Sequence, residues 1–464
     1  MRASHHDYTG MTLSQFIREA RSARGLSHEE LGGPELSEHY IEALERGAVL
    51  PSHLALEALA RRFRVPVSEL LRVQARLETE PDLQCIEEDL HLQLNHTKPL
   101  LDKGQTEEAL QIINTAENNV LPYIEHLSWH ARYRIPYLRG RAYLPIGRLV
   151  EGQTELERAL AYVGPDLETI ARVRNLLGVA HYLQGHPKQA LQEHMAGLRA
   201  AEDGMVKDLN LRLSICRNLA NTHWALNDFR EAIRFYKEAL RVSQNLNDVK
   251  QQAGIYWGMM MAHGALGDRA QAKLCGLKAL EIYDPSKDAS STASLCVSLA
   301  EMNIKDRQYE EAHLMLERAK AVLEGTDELL ILCGVYQGFA RLASSQSQLA
   351  QAATYSAQAI NFGKASCDKL PTYDMQARGM ALRAYAEALN VAAQIEEARN
   401  NPDAADRLFQ EAMTTIEQTS FEETRSEIIY SYAEALSGRG KHELAGEYYR
   451  LSYRLRQGLG PVPV

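Results

Sequence analysis

The chain has 464 residues, 45% of them apolar, and a formal net charge of -10. The apolar content excludes disorder throughout, and the acidic balance excludes general attraction to nucleic acid, so any DNA contact must be local. No apolar run reaches the roughly 18 residues of a membrane span, and Arg2 to Tyr8 lack the apolar core of a secretory signal. A cytoplasmic protein with no membrane partner is expected.

Residues 1–10, including His5 and His6, are expected to form a flexible, solvated tail, because the helical pattern opens at Met11. Leu13, Phe16, Ile17 and Ala20 then make the apolar face of a first helix, with Arg18, Arg21 and Arg24 opposite and Gly25 as its stop. Ser27 and Glu30 have capping-box spacing and start a second helix, which Gly32-Gly33-Pro34 breaks. Ser37 caps a third, carrying Tyr40, Ile41 and Leu44 and ending at Arg46-Gly47. Pro51-Ser52 opens a fourth with Leu54, Leu56, Leu59, Ala60 and Phe63 apolar, and Val65 to Leu71 begins a fifth.

These five helices over residues 11–76 carry Ile17-Arg18-Glu19-Ala20-Arg21, Arg24-Gly25-Leu26-Ser27-His28-Glu29-Glu30-Leu31, Leu44-Glu45-Arg46-Gly47, Pro51-Ser52, Leu56 to Ala60 and Val65 to Leu71. In that combination the segment resembles the XRE/Cro helix-turn-helix family. The resemblance implies a third helix in the DNA major groove, with Ser37, Glu38, His39 and Glu42 towards base edges and His28, Arg46 and Ser52 near the phosphate backbone. The chain departs from the family in three ways. His28 stands where Gln is usual, the turn from Leu31 to Ser37 is one residue short, and the reading helix displays Glu38, Glu42 and Glu45 with no basic residue before Arg46. Residues 1–76 hold ten Arg against ten Asp plus Glu. Two readings follow: a reader of operator DNA, or a helix-turn-helix that docks a protein.

Beyond Arg76 the sequence becomes rich in Ala, Leu and Gln, with Glu80-Pro81-Asp82 as a hinge or helix start. Small residues recur at Ala109, Gly152, Ala190, Ala232, Ala272, Ala312, Ala352, Ala405 and Ala445, spaced by 43, 38, 42, 40, 40, 40, 53 and 40. Seven residues after each comes another small residue, from Ala116 and Ala159 to Ala412 and Ser452. Twelve before lie Gly140, Gly178, Ala220, Ala300, Ala340 and Ala433, with Thr97 and Met260 as weaker matches. Four after, Ile113, Leu156, Tyr236, Leu316, Phe409 and Tyr449 supply bulk. The pattern resembles tetratricopeptide (TPR) repeats and predicts an all-α chain, with an α-α superhelix of about nine hairpins over 77–457 and a tail over 458–464. The wide interval before Ala405 predicts a lengthened helix pair near Gln394 to Pro402.

The first helix of each TPR hairpin lines the concave face. Projecting back from the anchors places Arg134, Tyr137, Arg141, Arg172, Asn175, Arg217, Asn221, Trp224, Trp257, Met261, Gln337 and Arg341 there, with Asn218 adjacent. Asparagine both donates to and accepts from a peptide backbone, and arginine grips a carboxylate, so these residues either bind a short peptide or partner segment, or solvate an empty wall. Met259 to Met261 read as core and rim packing. Tyr448, Tyr449 and Tyr453 are expected to be exposed at a homodimer contact.

The six cysteines are scattered without Cys-x-x-Cys or zinc-like His spacing, so buried free thiols, no metal and no cofactor are expected. Neither a phosphate loop nor a His-Glu-x-x-His run is present, which argues against an enzyme. Joined helix-turn-helix and TPR segments resemble the RRNPP peptide-responsive transcription factors of bacterial quorum sensing. That resemblance implies a dimeric regulator gated by a peptide; the alternative is a protein-interaction scaffold.

Overall fold

The computed structural model describes residues 11–73, 75–283, 288–370, 375–419 and 421–456. The expected tails, with the His5–His6 pair, lie outside these residues. The chain divides into two compact units, 1–228 and 229–464. The first unit opens with α1 (Leu13–Arg24), α2 (His28–Gly32), α3 (Glu38–Arg46), α4 (His53–Phe63) and α5 (Val67–Leu71). Then α6 (Leu83–Asp102) pairs with α7 (Thr106–Val120), α8 (Trp129–Tyr143) with α9 (Leu149–Tyr162), and α10 (Leu167–Leu183) with α11 (Pro187–Asp203), before α12 (Leu209–Ala225). In the second unit α13 (Phe229–Asn245) is followed by the pairs α14 (Val249–Ala265) and α15 (Arg269–Ile282), then α16 (Ala289–Lys305) and α17 (Tyr309–Val322). Three more follow: α18 (Leu329–Ser345) with α19 (Leu349–Lys369), α20 (Met375–Ala398) with α21 (Pro402–Ile416), and α22 (Glu422–Gly438) with α23 (His442–Arg456). From α6 onward the described residues therefore give eight helix pairs, three in the first unit and five in the second, with α12 closing the first unit and α13 opening the second.

Local chemistry sets the ends of the first helices. Thr12 and Gln15 close a capping box on α1, and Gly25 ends it in the left-handed conformation at φ 66°. Ser27 and Glu30 form the expected box on α2, while Ser37 and Ser52 cap α3 and α4 through their hydroxyls. Inside, Ile17, Leu31, Tyr40, Ile41, Leu59 and Leu70 are fully buried. Their core runs without a break into Leu90 and Leu94 of α6 and Ile113 of α7. The N-terminal bundle is thus fused to the first hairpin by shared apolar packing.

In the repeats, all nine small anchors are buried, as are the residues seven positions on. Small size here is a packing requirement. A Cβ on Gly140 would sit 2.7 Å from Leu156 Cγ and 3.0 Å from the Gly152 carbonyl oxygen, and one on Gly178 would meet the His194 ring at 2.4 Å. The extra residues before Ala405 lengthen α19 to 21 and α20 to 24 residues. They extend the C-terminal end of α19 and the N-terminal end of α20, and not the turn near Gln394 to Pro402, which is an ordinary short connection. Two further expectations change. Tyr448 packs edge-on against Tyr432 at 4.9 Å and Tyr449 donates to Glu434, so among the three tyrosines Tyr453 alone is largely exposed, at 64%. Cys367 is half-buried, whereas the other five thiols are buried.

Two helix interiors test this packing requirement. Gly334 has open space at its Cβ position, so Gly334→Ala should raise stability by about 0.5–1 kcal/mol through helix propensity. Gly140→Val should lower it by about 1–3 kcal/mol through overpacking, both read as shifts in thermal melting.

Candidate functional site

Helix α3 carries most residues expected to face DNA, and their partners are internal. Glu45, expected on display, is 6% exposed. Arg21 of α1 holds both of its carboxylate oxygens, at 2.6 and 3.0 Å, while His28 Nε2 lies 3.2 Å away and Arg18 donates to its carbonyl. Burial alone would raise the Glu45 pKa, yet these donors leave it below the ordinary value. Thus Arg21, which the helical pattern put on the face opposite the apolar one, instead neutralises the buried acid of α3. Arg24 is likewise engaged, donating to the Phe63 carbonyl and lying over the Phe63 ring. Glu38 stays exposed, and Glu42 faces His28 Nδ1 at 3.7 Å.

Helix α6 covers the starts of α3 and α4. The backbone N–H and hydroxyl of Ser37 both donate to Glu88, at 2.5 and 2.6 Å. Those of Ser52 both donate to Asp89, at 2.9 and 2.6 Å. The neighbouring Glu87 accepts the same pair of bonds from Ser128, the cap of α8. Each hydroxyl also accepts from an N–H of the helix it caps, so it relays between that helix and a carboxylate of α6. Successive helical residues point about 100° apart, and this turns three adjacent acids towards three different helices. The remaining candidates lie on the same seam: His39 Nε2 and Arg46 sit 3.0 and 3.3 Å from Asp82 at the α6 start. The caps Ser37 and Ser52 are legible in the sequence but their acidic partners are not, because the pairings span 51 and 37 residues.

Asp89 is the costly member. It is 5% exposed, and burial pushes its carboxyl up to about 6 although the Ser52 donors favour the charged form. A cavity of about 250 Å³ lined by Leu50, Pro51, Ile86, Val120 and Tyr123 adjoins it.

Seven of the expected peptide-facing residues join the first helices of successive pairs. In the first unit Arg134 donates to His91 and Asn95, Arg141 to Asp102, and Arg172 to Asp208. Asn218 donates to Asn175, which donates to Ser214, at 3.0 and 3.1 Å. Tyr137 is half-buried, as are Arg217, Asn221 and Trp224 on α12. In the second unit Arg341 pairs with Glu301, and Gln337 donates to the Ala384 carbonyl. Trp257 is half-buried and Met261 is 41% exposed beside buried Met259 and Met260. Asn175 and Gln337, each 5% exposed, are therefore links between helices and not open groove contacts.

Comparison with known proteins supports the repeat assignment. Residues 212–249 match the tetratricopeptide repeat family. The fold is similar to apo RapI, with a TM-score of 0.60 at 14% identity over 79% of this chain and 97% of that one. It is also similar to the apo quorum sensor NprR from B. thuringiensis, with a TM-score of 0.58 at 15% identity over 80% and 99%. A stretch of 152 residues, 33% of the chain, is 25% identical to outer dynein arm-docking complex subunit 4 of Xenopus laevis. The match spans 28% of that relative's length. No helix among the described residues is long and apolar enough to cross a membrane.

A pH series tests the Asp89 seam. An Asp side chain titrates near 4 when unfolded, and in the fold Asp89 titrates at about 6. The folded chain therefore binds the extra proton between those values, and stability contributed by this group falls as pH rises through that window. Asp89→Asn keeps the shape and removes the charge. Relative to the wild type it should gain on the order of 2–3 kcal/mol between about pH 4 and 7, measured by denaturant unfolding.

Proposed function

We propose that the chain is a ligand-responsive transcriptional regulator whose helix-turn-helix binds operator DNA as a homodimer and whose TPR helices bind a short peptide or partner segment. One observation carries this reading. The N–H and hydroxyl donors at the starts of α3 and α4, which suit phosphate oxygens, are filled by Glu88 and Asp89 of α6, a helix of the first TPR pair. Carboxylates here occupy positions suited to phosphates, so movement of α6 exposes or hides the DNA-facing donors. A ligand that prefers one placement of α6 shifts that equilibrium by its difference in affinity for the two states. NprR, similar in fold, is described as a quorum sensor, which agrees with a ligand-responsive regulator.

On this reading an acidic peptide terminus would compete with Asp208 for Arg172 and with Asp102 for Arg141, while Arg217, Asn218, Asn221 and Trp224 supply backbone and side-chain contacts. Exposed Glu38 and the balanced charge of residues 1–76 favour a second reading, a scaffold in which the helix-turn-helix docks a protein.

Two experiments decide. Binding of the full chain to a random duplex pool should weaken steeply with salt, since phosphate contacts release counterions. Glu88→Gln, which loosens the seat on Ser37, should bind roughly tenfold tighter, equivalent to about one charge-assisted hydrogen bond. Absence of salt-sensitive binding by both proteins defeats the DNA reading and leaves the scaffold. For the ligand, peptides selected from a random library by the full chain should lose at least about tenfold in affinity on Asn218→Ala plus Asn221→Ala, a loss of about 1.4 kcal/mol. Undiminished binding removes α12 from the site.

A further inference from the structure

The same seam brings His39 to two neighbouring side chains, Asp82 and Cys85, the latter 46 residues on. His39 lies on α3, Asp82 is the N-cap of α6, and Cys85 sits in the first turn of α6. Their ligand atoms, the imidazole nitrogen, a carboxylate oxygen and the thiol sulfur, all fall within 4.8 Å of one another. His39 Nε2 is 3.0 Å from Asp82 Oδ2. The other carboxylate oxygen, Oδ1, accepts the Cys85 N–H at 3.3 Å, which fixes the carboxylate orientation and leaves Oδ2 facing the histidine. Cys85 is fully buried, whereas the His39 side chain is 41% exposed, so the cluster opens to solvent on the histidine side.

We propose that His39, Asp82 and Cys85 form a binding site for a divalent transition metal of the zinc class, with water as the fourth ligand. Nitrogen, oxygen and thiolate donors together select zinc or cobalt over calcium or magnesium, which take oxygen ligands. Metal–ligand bonds of about 2.0–2.3 Å put tetrahedral ligands about 3.3–3.8 Å apart. The three atoms therefore need to move by about an ångström or less. On binding, the Cys85 thiol gives its proton to solvent and its sulfur bonds the metal. Thiolate and carboxylate then balance the two positive charges, with the imidazole neutral. Arg46, 3.3 Å from Asp82 Oδ2 and itself 54% exposed, swings out to water as the metal takes its place. The bound metal joins α3 directly to α6, and so fastens the reading helix in the covered position. The site stands independently of whether the chain binds DNA.

The probe is Co2+ added to the reduced, full-length protein. One equivalent should give tetrahedral visible bands and a thiolate-to-cobalt charge-transfer band in the near ultraviolet. Zn2+ should bleach both, and Zn2+ alone should raise the melting temperature. Cys85→Ser should abolish the charge-transfer band, and His39→Gln should weaken Co2+ binding at least about tenfold, since even outer-shell changes cost that much. His39 is partly exposed, so His39→Gln keeps the fold and preserves the test if Cys85→Ser does not. A spectrum with no charge-transfer band overturns the proposal, as does a band unchanged in both variants. Cobalt binding lost only on Glu42→Gln would assign the metal to the exposed cluster of His28, Glu38 and Glu42, and would also overturn it.

Discussion

Glu87, Glu88 and Asp89, adjacent on α6, hold the starts of α8, α3 and α4, each through the backbone N–H and hydroxyl of a capping serine. A hydrogen bond to a charged acceptor contributes about 1.5–3 kcal/mol, and a helix start favours negative charge nearby. The arrangement therefore fixes three helix directions from one point. The apolar core runs through the same region, from Leu59 and Tyr40 to Leu90 and Leu94. A displacement of α6 cannot be small or local: it breaks paired polar contacts and opens shared apolar packing together.

The repeats show the same economy of charge. Arg141, Arg172 and Arg341 each meet an acid on another first helix, and Asn175, Ser214 and Asn218 form a short ladder between α10 and α12. On the proposed function, a partner offers groups that replace existing bonds; exchange of one carboxylate for another nearly cancels in energy, so discrimination would rest on shape and on the apolar faces of Trp224 and Tyr137.

Patterns that repeat at short range were legible in the sequence. The recurring small residues located the helix pairs, since close crossing of helices admits no side chain larger than the space allows. Serines ahead of acidic or apolar runs located the caps of α2, α3 and α4. What escaped were the partners. Glu45 reads as a surface residue beside Glu38 and Glu42, but Arg21, 24 residues away, buries it. Nothing in local spacing brings His39 to Cys85, 46 residues on, because cysteine and histidine spacing reveals a metal site only when the ligands share a segment.

The sequence by itself determined the all-helical repeat, the five N-terminal helices and most helix ends, because hydrophobic period, caps and small-residue spacing act over a few residues. Only the tertiary structure decided which charges are spent internally. Ser37, Ser52, His39 and Arg46, the donors expected to face DNA, all point to acids in α6 or at its cap. The reason is physical: a helix start offers the same donors to a phosphate and to a carboxylate, and the choice between them is made by whichever element the fold packs against it.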